Sequence, residues 1–327
     1  MKPSVTAAAS LIVCVAVVRL TFGHTPRQEV EARRNPRLVP AGSSMVTAWD
    51  LPMNPLTDSA LGHSTRAEMI RRGFRIFMQT PGEAPRFATN KLSCGSCHLN
   101  GGQRERALPL VGVAGIFPEY NKRAGRQFML EDRISECLMR SENGTGSRGP
   151  GRGVRSRNEE IRTYPDSASE EVSALAAYIG WLSEGLPPGE PLPWRGQNVI
   201  SRDSCLGVER LDPVRGRSLY MTHCSVCHGR DGQGVQIGDK KAGPLWGRHS
   251  WNDGAGMARV YTLAGFIRYA MPYLNPGSLG TEAAQQIAAF INSMPRPAYP
   301  HKNLDYRSAG VPPDAVYYRQ RHQASGR

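Results

Sequence analysis

The chain has 327 residues, 39% of them hydrophobic, with 35 Gly, 25 Pro and a formal charge of +13. That length exceeds one small module and suits two ordinary domains, and the modest apolar share with so much Gly and Pro argues against a single extensive core. The charge would suit nucleic acid, yet the Arg clusters at Arg33-Arg34, Arg71-Arg72 and 148–157 lack interleaved aromatic rings, so nucleic acid is set aside in favour of anionic small molecules or acidic proteins, with most of these Arg residues read as solvated surface.

At the N-terminus Lys2 precedes an apolar run from Ala7 to Val18, followed by small and polar residues up to Thr25. The run has the length of a signal-peptide core and falls short of the ~20 apolar residues a spanning helix needs. Residues 1–25 are therefore expected to direct export to the periplasm, leaving no integral membrane segment in the mature chain. Cys14 departs with them, and Val13 stands where a lipoprotein processing site wants a small residue.

After an extension over 26–48, two segments share one plan. In the first, 49–185, an amphipathic helix is expected over Ser64 to Thr80 and a closing helix over Ala168 to Glu184. In the second, 205–296, the corresponding helices are Pro213 to Thr222 and Thr281 to Ser293. A stiff Pro-rich linker over 186–204 separates them, and 297–327 reads as a loosely packed tail.

Each segment carries one Cys-x-x-Cys-His run, Cys94-Gly95-Ser96-Cys97-His98 and Cys224-Ser225-Val226-Cys227-His228. Such spacing lets two thiols form thioethers with a porphyrin while the adjacent His ligates its iron. A zinc knuckle would want paired Cys/His clusters within one module, and a thioredoxin-like site a strand-helix context. The expected fold is mainly α: two cytochrome c-like domains, each helix, haem motif, loops and helix, with two covalently bound haem c.

Each iron needs a sixth ligand. In the second domain Met271 is preferred over Met257, His249 and Met294, because it ends the apolar helix Leu263 to Ala270 just before Pro272. In the first, only Met129 and Met139 stand in the corresponding loop, with His63 as a distant rival, but Cys137 lies there too. The stretch Met129 to Ser141 opens with acids and closes on Asn143-Gly144, as a short helix would, placing Arg133, Cys137 and Ser141 on one face. Once leader and haem cysteines are subtracted, Cys137 and Cys205 remain; a disulfide between them and a ligand role for Cys137 both stay open.

The stretches Gly101-Gly102, Pro109 to Val113, Phe117 to Tyr120, Leu130 to Ile134 and Cys137 to Gly144, with Gly243 to Gly247, Trp251 to Met257 and Met271-Pro272, resemble the dihaem thiosulfate dehydrogenase family over roughly residues 50–300. That family joins two thiosulfates into tetrathionate and passes two electrons to a periplasmic acceptor such as a small cytochrome c or a high-potential iron-sulfur protein. The resemblance implies that Cys137 is the axial thiolate on the first iron and that Arg123, Arg133 and Ser141 line the substrate pocket. Ala270 departs from the pattern: some members carry Lys or Asn there, so a Lys-to-Met exchange at the second iron is not expected. A pure electron carrier, a tetrathionate reductase and the haem subunit of the multienzyme sulfur-oxidising system are the competing readings.

Overall fold

The computed structural model describes residues 36–42, 48–144, 168–237 and 240–319. The expected signal with Cys14, Arg33-Arg34 and the 148–157 cluster lie outside the described residues. Six helices of eleven residues or more are present among them: α1 (Thr65–Met78), α2 (Leu130–Arg140), α3 (Glu170–Leu182), α4 (Pro213–His223), α5 (Val260–Ala270) and α6 (Thr281–Ile291). Two antiparallel ribbons complete the set, β1 (Glu119–Asn121) with β2 (Arg126–Phe128) and β3 (Gln236–Ile237) with β4 (Lys240–Lys241). The chain is mainly helical, as its periodicity led one to expect.

Local chemistry starts most of these helices. Ser64 Oγ accepts from Ala67 N ahead of α1, Ser169 Oγ accepts from Val172 N ahead of α3, and Asp212 Oδ1 accepts from Val214 N and Arg215 N ahead of α4, where Pro213 takes the first position. Helix α5 differs. It begins at Val260 rather than Leu263 because its first donors are capped from far along the chain: Val260 N donates to Asp314 O and Tyr261 N to Asp314 Oδ2.

The internal repeat is realised as two equivalent helix crossings. Helix α1 lies on α3 with Gly73 facing the Ala174 carbonyl and Tyr178, and α4 lies on α6 with Gly216 facing the Gln286 carbonyl and Phe290. Four residues on from each glycine stands an aromatic ring, Phe77 packed 5.4 Å from Tyr178 and Tyr220 packed 5.4 Å from Phe290, centroid to centroid. Only glycine lets the backbones approach this closely. Each crossing anchors one apolar core: Cys94 borders the first, while Cys97, Cys224 and Met271 border the second.

The stiff Pro-rich linker is held against the fold: Gly189 N donates to Gly115 O, Trp194 Nε1 donates to Val111 O, and Asn198 O sits against Gly265 of α5. The tail is not loosely packed over its described part, for Tyr299, Asp314 and Ala315 are buried at 2%, 0% and 1% exposure. Its polar residues meet buried partners of opposite charge elsewhere in the fold, which tail composition alone does not reveal. No helix among the described residues is long and apolar enough to cross a membrane.

Candidate functional site

The first motif turns tightly between α1 and the following loop. His98 Nδ1 bonds Leu108 O at 2.6 Å, which leaves Nε2 as the nitrogen able to bind a metal. Burial lowers the His98 imidazole to about 4, with Arg133 also lowering it and the Leu108 bond opposing, so the ring is neutral, as a ligand must be. The second motif repeats this: His228 Nδ1 bonds Gly243 O at 3.2 Å, and burial again lowers the ring.

Helix α2 brings the unusual cysteine to the first motif. Asp132 Oδ2 accepts from Met129 N at its start, and Asn143, in the left-handed conformation at φ 52°, with Gly144 N donating to Leu138 O, closes its end. Burial first, then the charges of Glu142 and Cys137, raise the Cys97 thiol to about 12, and the same neighbours act on Cys94. Cys137 therefore lies within electrostatic reach of both first-motif thiols, and Arg133 within reach of His98. Cys137 and Cys205 are both free, Cys205 Sγ standing 3.5 Å from Ser201 O. The disulfide alternative is not what the fold makes.

The remaining family-implied residues divide by setting. Arg133 is exposed and Ser141 half-buried, and neither the Arg133 guanidinium nor Ser141 Oγ hydrogen-bonds a described residue. Arg123, on the β1–β2 turn, is largely buried: Nη1 donates to Gly254 O at 2.9 Å, Nη2 pairs with Glu136, and Nε is buried without a partner. Burial pushes the Glu136 carboxyl up, but Arg123, Arg140 and Arg133 outweigh it and hold it below the usual carboxylate range. Met271 sits at the C-terminal end of α5 beside the core bordering Cys224, and Met257 is buried in that same core. Of the other rivals, the His63 side chain is 93% exposed and Met129 is exposed at 53%.

The halves are joined at the motifs themselves. Gly243, whose carbonyl holds His228, packs against Leu92 and faces Ser96 inside the first motif. Arg104 is fully buried between the halves, with Nη2 on Tyr273 O at 2.8 Å, its guanidinium over the Tyr273 ring, and Nη1 buried without a partner. An orphaned buried guanidinium donor is a ready partner for an acidic group such as a haem propionate. With two neutral His rings whose Nε2 is free and cysteines flanking each, the donor set fits two c-type haems. Sequence reading missed Arg104, Glu136, Arg140 and Glu142. The i,i+4 spacing of Glu136 and Arg140 was the one available signal, but nothing local marks them as buried.

This arrangement defines a dihaem c-type cytochrome. Residues 84–187 match the family model "SoxA/TsdA, cytochrome c domain", and residues 212–291 match "Cytochrome C oxidase, cbb3-type, subunit III". The thiosulfate dehydrogenase of Allochromatium vinosum is 37% identical over 75% of this chain and 82% of its own length. That of Stutzerimonas stutzeri is 33% identical over 75% and 73%, and that of Psychrobacter arcticus 34% identical over 75% and 68%. The "as isolated" form of thiosulfate dehydrogenase (TsdBA) from Marichromatium purpuratum superposes with a TM-score of 0.64 at 33% identity, over 76% of this chain; the chain spans half the length of that one. The chain belongs to the thiosulfate dehydrogenase family, an oxidoreductase family, and carries two covalently bound c-type haems.

Proposed function

We propose that this chain oxidises thiosulfate to tetrathionate in the periplasm, with residues 1–25 as the export signal, 49–185 as the catalytic domain and 205–296 as the electron-exit domain. The observation that supports the reading is α2, whose Cys137 acts electrostatically on both Cys94 and Cys97, while the Arg133 guanidinium and, just past the helix end, Ser141 Oγ make no hydrogen bond to a described residue. His98 and Cys137 would ligate the first iron, His228 and Met271 the second.

Thiosulfate is a dianion, so holding two needs cations: Arg133 and Arg123 supply the positive charge for the sulfonate oxygens, and Ser141 orients one of them. The Cys137 thiolate bonds the outer sulfur of the first thiosulfate, giving a cysteine S-thiosulfonate as two electrons leave. The outer sulfur of the second thiosulfate then attacks that bonded sulfur, forming the central S–S bond of tetrathionate and returning the Cys137 thiolate. Two bound haems would each take one electron, and with Cys137 holding the first iron and Met271 the second their potentials would favour outward flow. The external acceptor is a periplasmic electron carrier such as a small cytochrome c or a high-potential iron-sulfur protein.

The test is thiosulfate-dependent reduction of the purified dihaem protein, followed in the haem absorption bands, for wild type and Cys137→Ala. Wild type is expected to be reduced with tetrathionate appearing, and the variant to be slower by at least about a thousandfold. If thiosulfate reduces neither protein, the chain is an electron carrier or a reductase.

A further inference from the structure

A buried ionic cluster joins the C-terminal segment to α2, and of its members only Arg123 enters the steps above. Arg140 Nη1 and Nη2 grip Asp305 Oδ2 and Oδ1 at 2.8 and 2.7 Å, with both side chains at most 5% exposed. Nη1 also donates to Gly254 O and Nη2 to Glu136 Oε1, while the guanidinium stacks 4.0 Å from the Tyr299 ring centroid. Tyr318 donates to Asp305 Oδ2, and the other Glu136 oxygen takes Arg123, which shares the Gly254 carbonyl. Tyr306 N meanwhile donates to Arg123 O, and Ser308 packs against Gly125 in the same turn. Asp305 and Tyr318 thus reach both the Arg123 turn and α2.

Geometry gives the cluster its consequence. Glu136 immediately precedes Cys137 and Arg140 immediately precedes Ser141, so the clamped pair and the reactive pair occupy adjacent faces of one helix, about 100° apart. Turning α2 about its axis to relax one pair must displace the other. An ion network so buried is weak evidence of stability, since apolar packing can replace it, but it does select one geometry over its neighbours.

We propose that the C-terminal segment is a positioning element of the reaction site, in which Asp305, through Arg140 and Glu136, sets the rotation of α2 and the orientation of Arg123. It rests on the reading of Cys137 as iron ligand and reactive thiolate. Asp305→Asn keeps the shape and removes the charge from a bidentate pair; Tyr318→Phe removes a single hydrogen bond to the same carboxylate and should fold where the first does not.

Both variants are made as full-length dihaem protein and compared with wild type and Cys137→Ala. In Asp305→Asn, KM for thiosulfate is expected to rise about tenfold. The thiolate-ligated signal of the first haem in electron paramagnetic resonance should split into more than one species, while the Met-iron charge-transfer band of the second haem is unchanged. Tyr318→Phe should move the same way by a smaller factor. Wild-type KM and first-haem signal in both variants would overturn the proposal, as would a uniform loss in which both haem signals decay together at unchanged KM. If Cys137→Ala itself leaves the first-haem signal as in wild type, Cys137 is no ligand and the positioning role falls with it. If Cys137→Ala alters that signal and the other two variants do not, the positioning role alone fails.

Discussion

Gly216→Ala tests the helix crossing that supports the second haem. A Cβ at 216 would stand 2.0 Å from the Gln286 carbonyl oxygen, 2.7 Å from its carbon and 2.9 Å from Phe290 Cβ. That oxygen belongs to the α6 backbone, committed to its own helical bond, and cannot swing aside. Helices α4 and α6 must separate by roughly 1 Å, and a gap of that order forfeits about a quarter to a half of the dispersion between facing atoms. The Tyr220, Trp246 and Phe290 rings, 5.3 to 5.5 Å apart, are the first to lose contact. Such overpacking costs about 3 kcal/mol or more, and the better helix propensity of Ala returns about 1 kcal/mol. The net of about 2 kcal/mol should lower Tm by roughly 5 °C in a domain pair of this size. Calorimetry on the dihaem protein checks the magnitude, and the Met-iron band, followed with temperature, should fade before first-haem absorption changes. Gly73→Ala, 1.9 Å from the Ala174 carbonyl oxygen, should reverse that order. A Tm within about 1 °C of wild type for both variants would refute the crossing argument.

Asn252 is fully buried and donates through Nδ2 to Met139 O at the end of α2, at 2.8 Å. Asn252→Ala strands that carbonyl, and urea unfolding should show a loss of about 2 kcal/mol. Cys205→Ser should leave both Tm and thiosulfate reduction unchanged; thiol titration of the denatured, unreduced dihaem protein should count two thiols in wild type, Cys137 and Cys205, and one in the variant. A count of zero in wild type would restore the disulfide. Burial raises the Glu142 carboxyl from the usual 4.5 to about 8. The folded state then keeps a proton that the unfolded state releases, so wild type loses stability as pH rises from about 4.5 to 8. Glu142→Gln should flatten that slope, which Tm measured at either end of the range reports; parallel profiles would exclude it.

Much of the fold was legible because its signals are local. The haem motifs, the helix periodicities, the Asp212-Pro213 start of α4 and the Asn143-Gly144 stop after α2 each lie within a few residues of what they specify. Part of the proposed site follows for the same reason: helical spacing aligns Arg133 and Cys137 on α2, with Ser141 next after its last residue. Local order stops there. Whether Cys137 meets the first haem motif or Cys205 depends on how α2 is carried across the fold, and its sequence serves either partner.

Thioether spacing and helical periodicity act over one or two turns, so two covalent haem sites, a repeated helix plan and a candidate thiolate on an amphipathic helix can be read from the residues alone. Folding is what brings Asp314 to the start of α5 and Asp305 to Arg140, 165 positions away. The same folding buries Arg104 against Tyr273 between the halves. A charged side chain reads alike in the sequence whether solvated or buried. Its partner, and so its worth, exists only once distant segments meet.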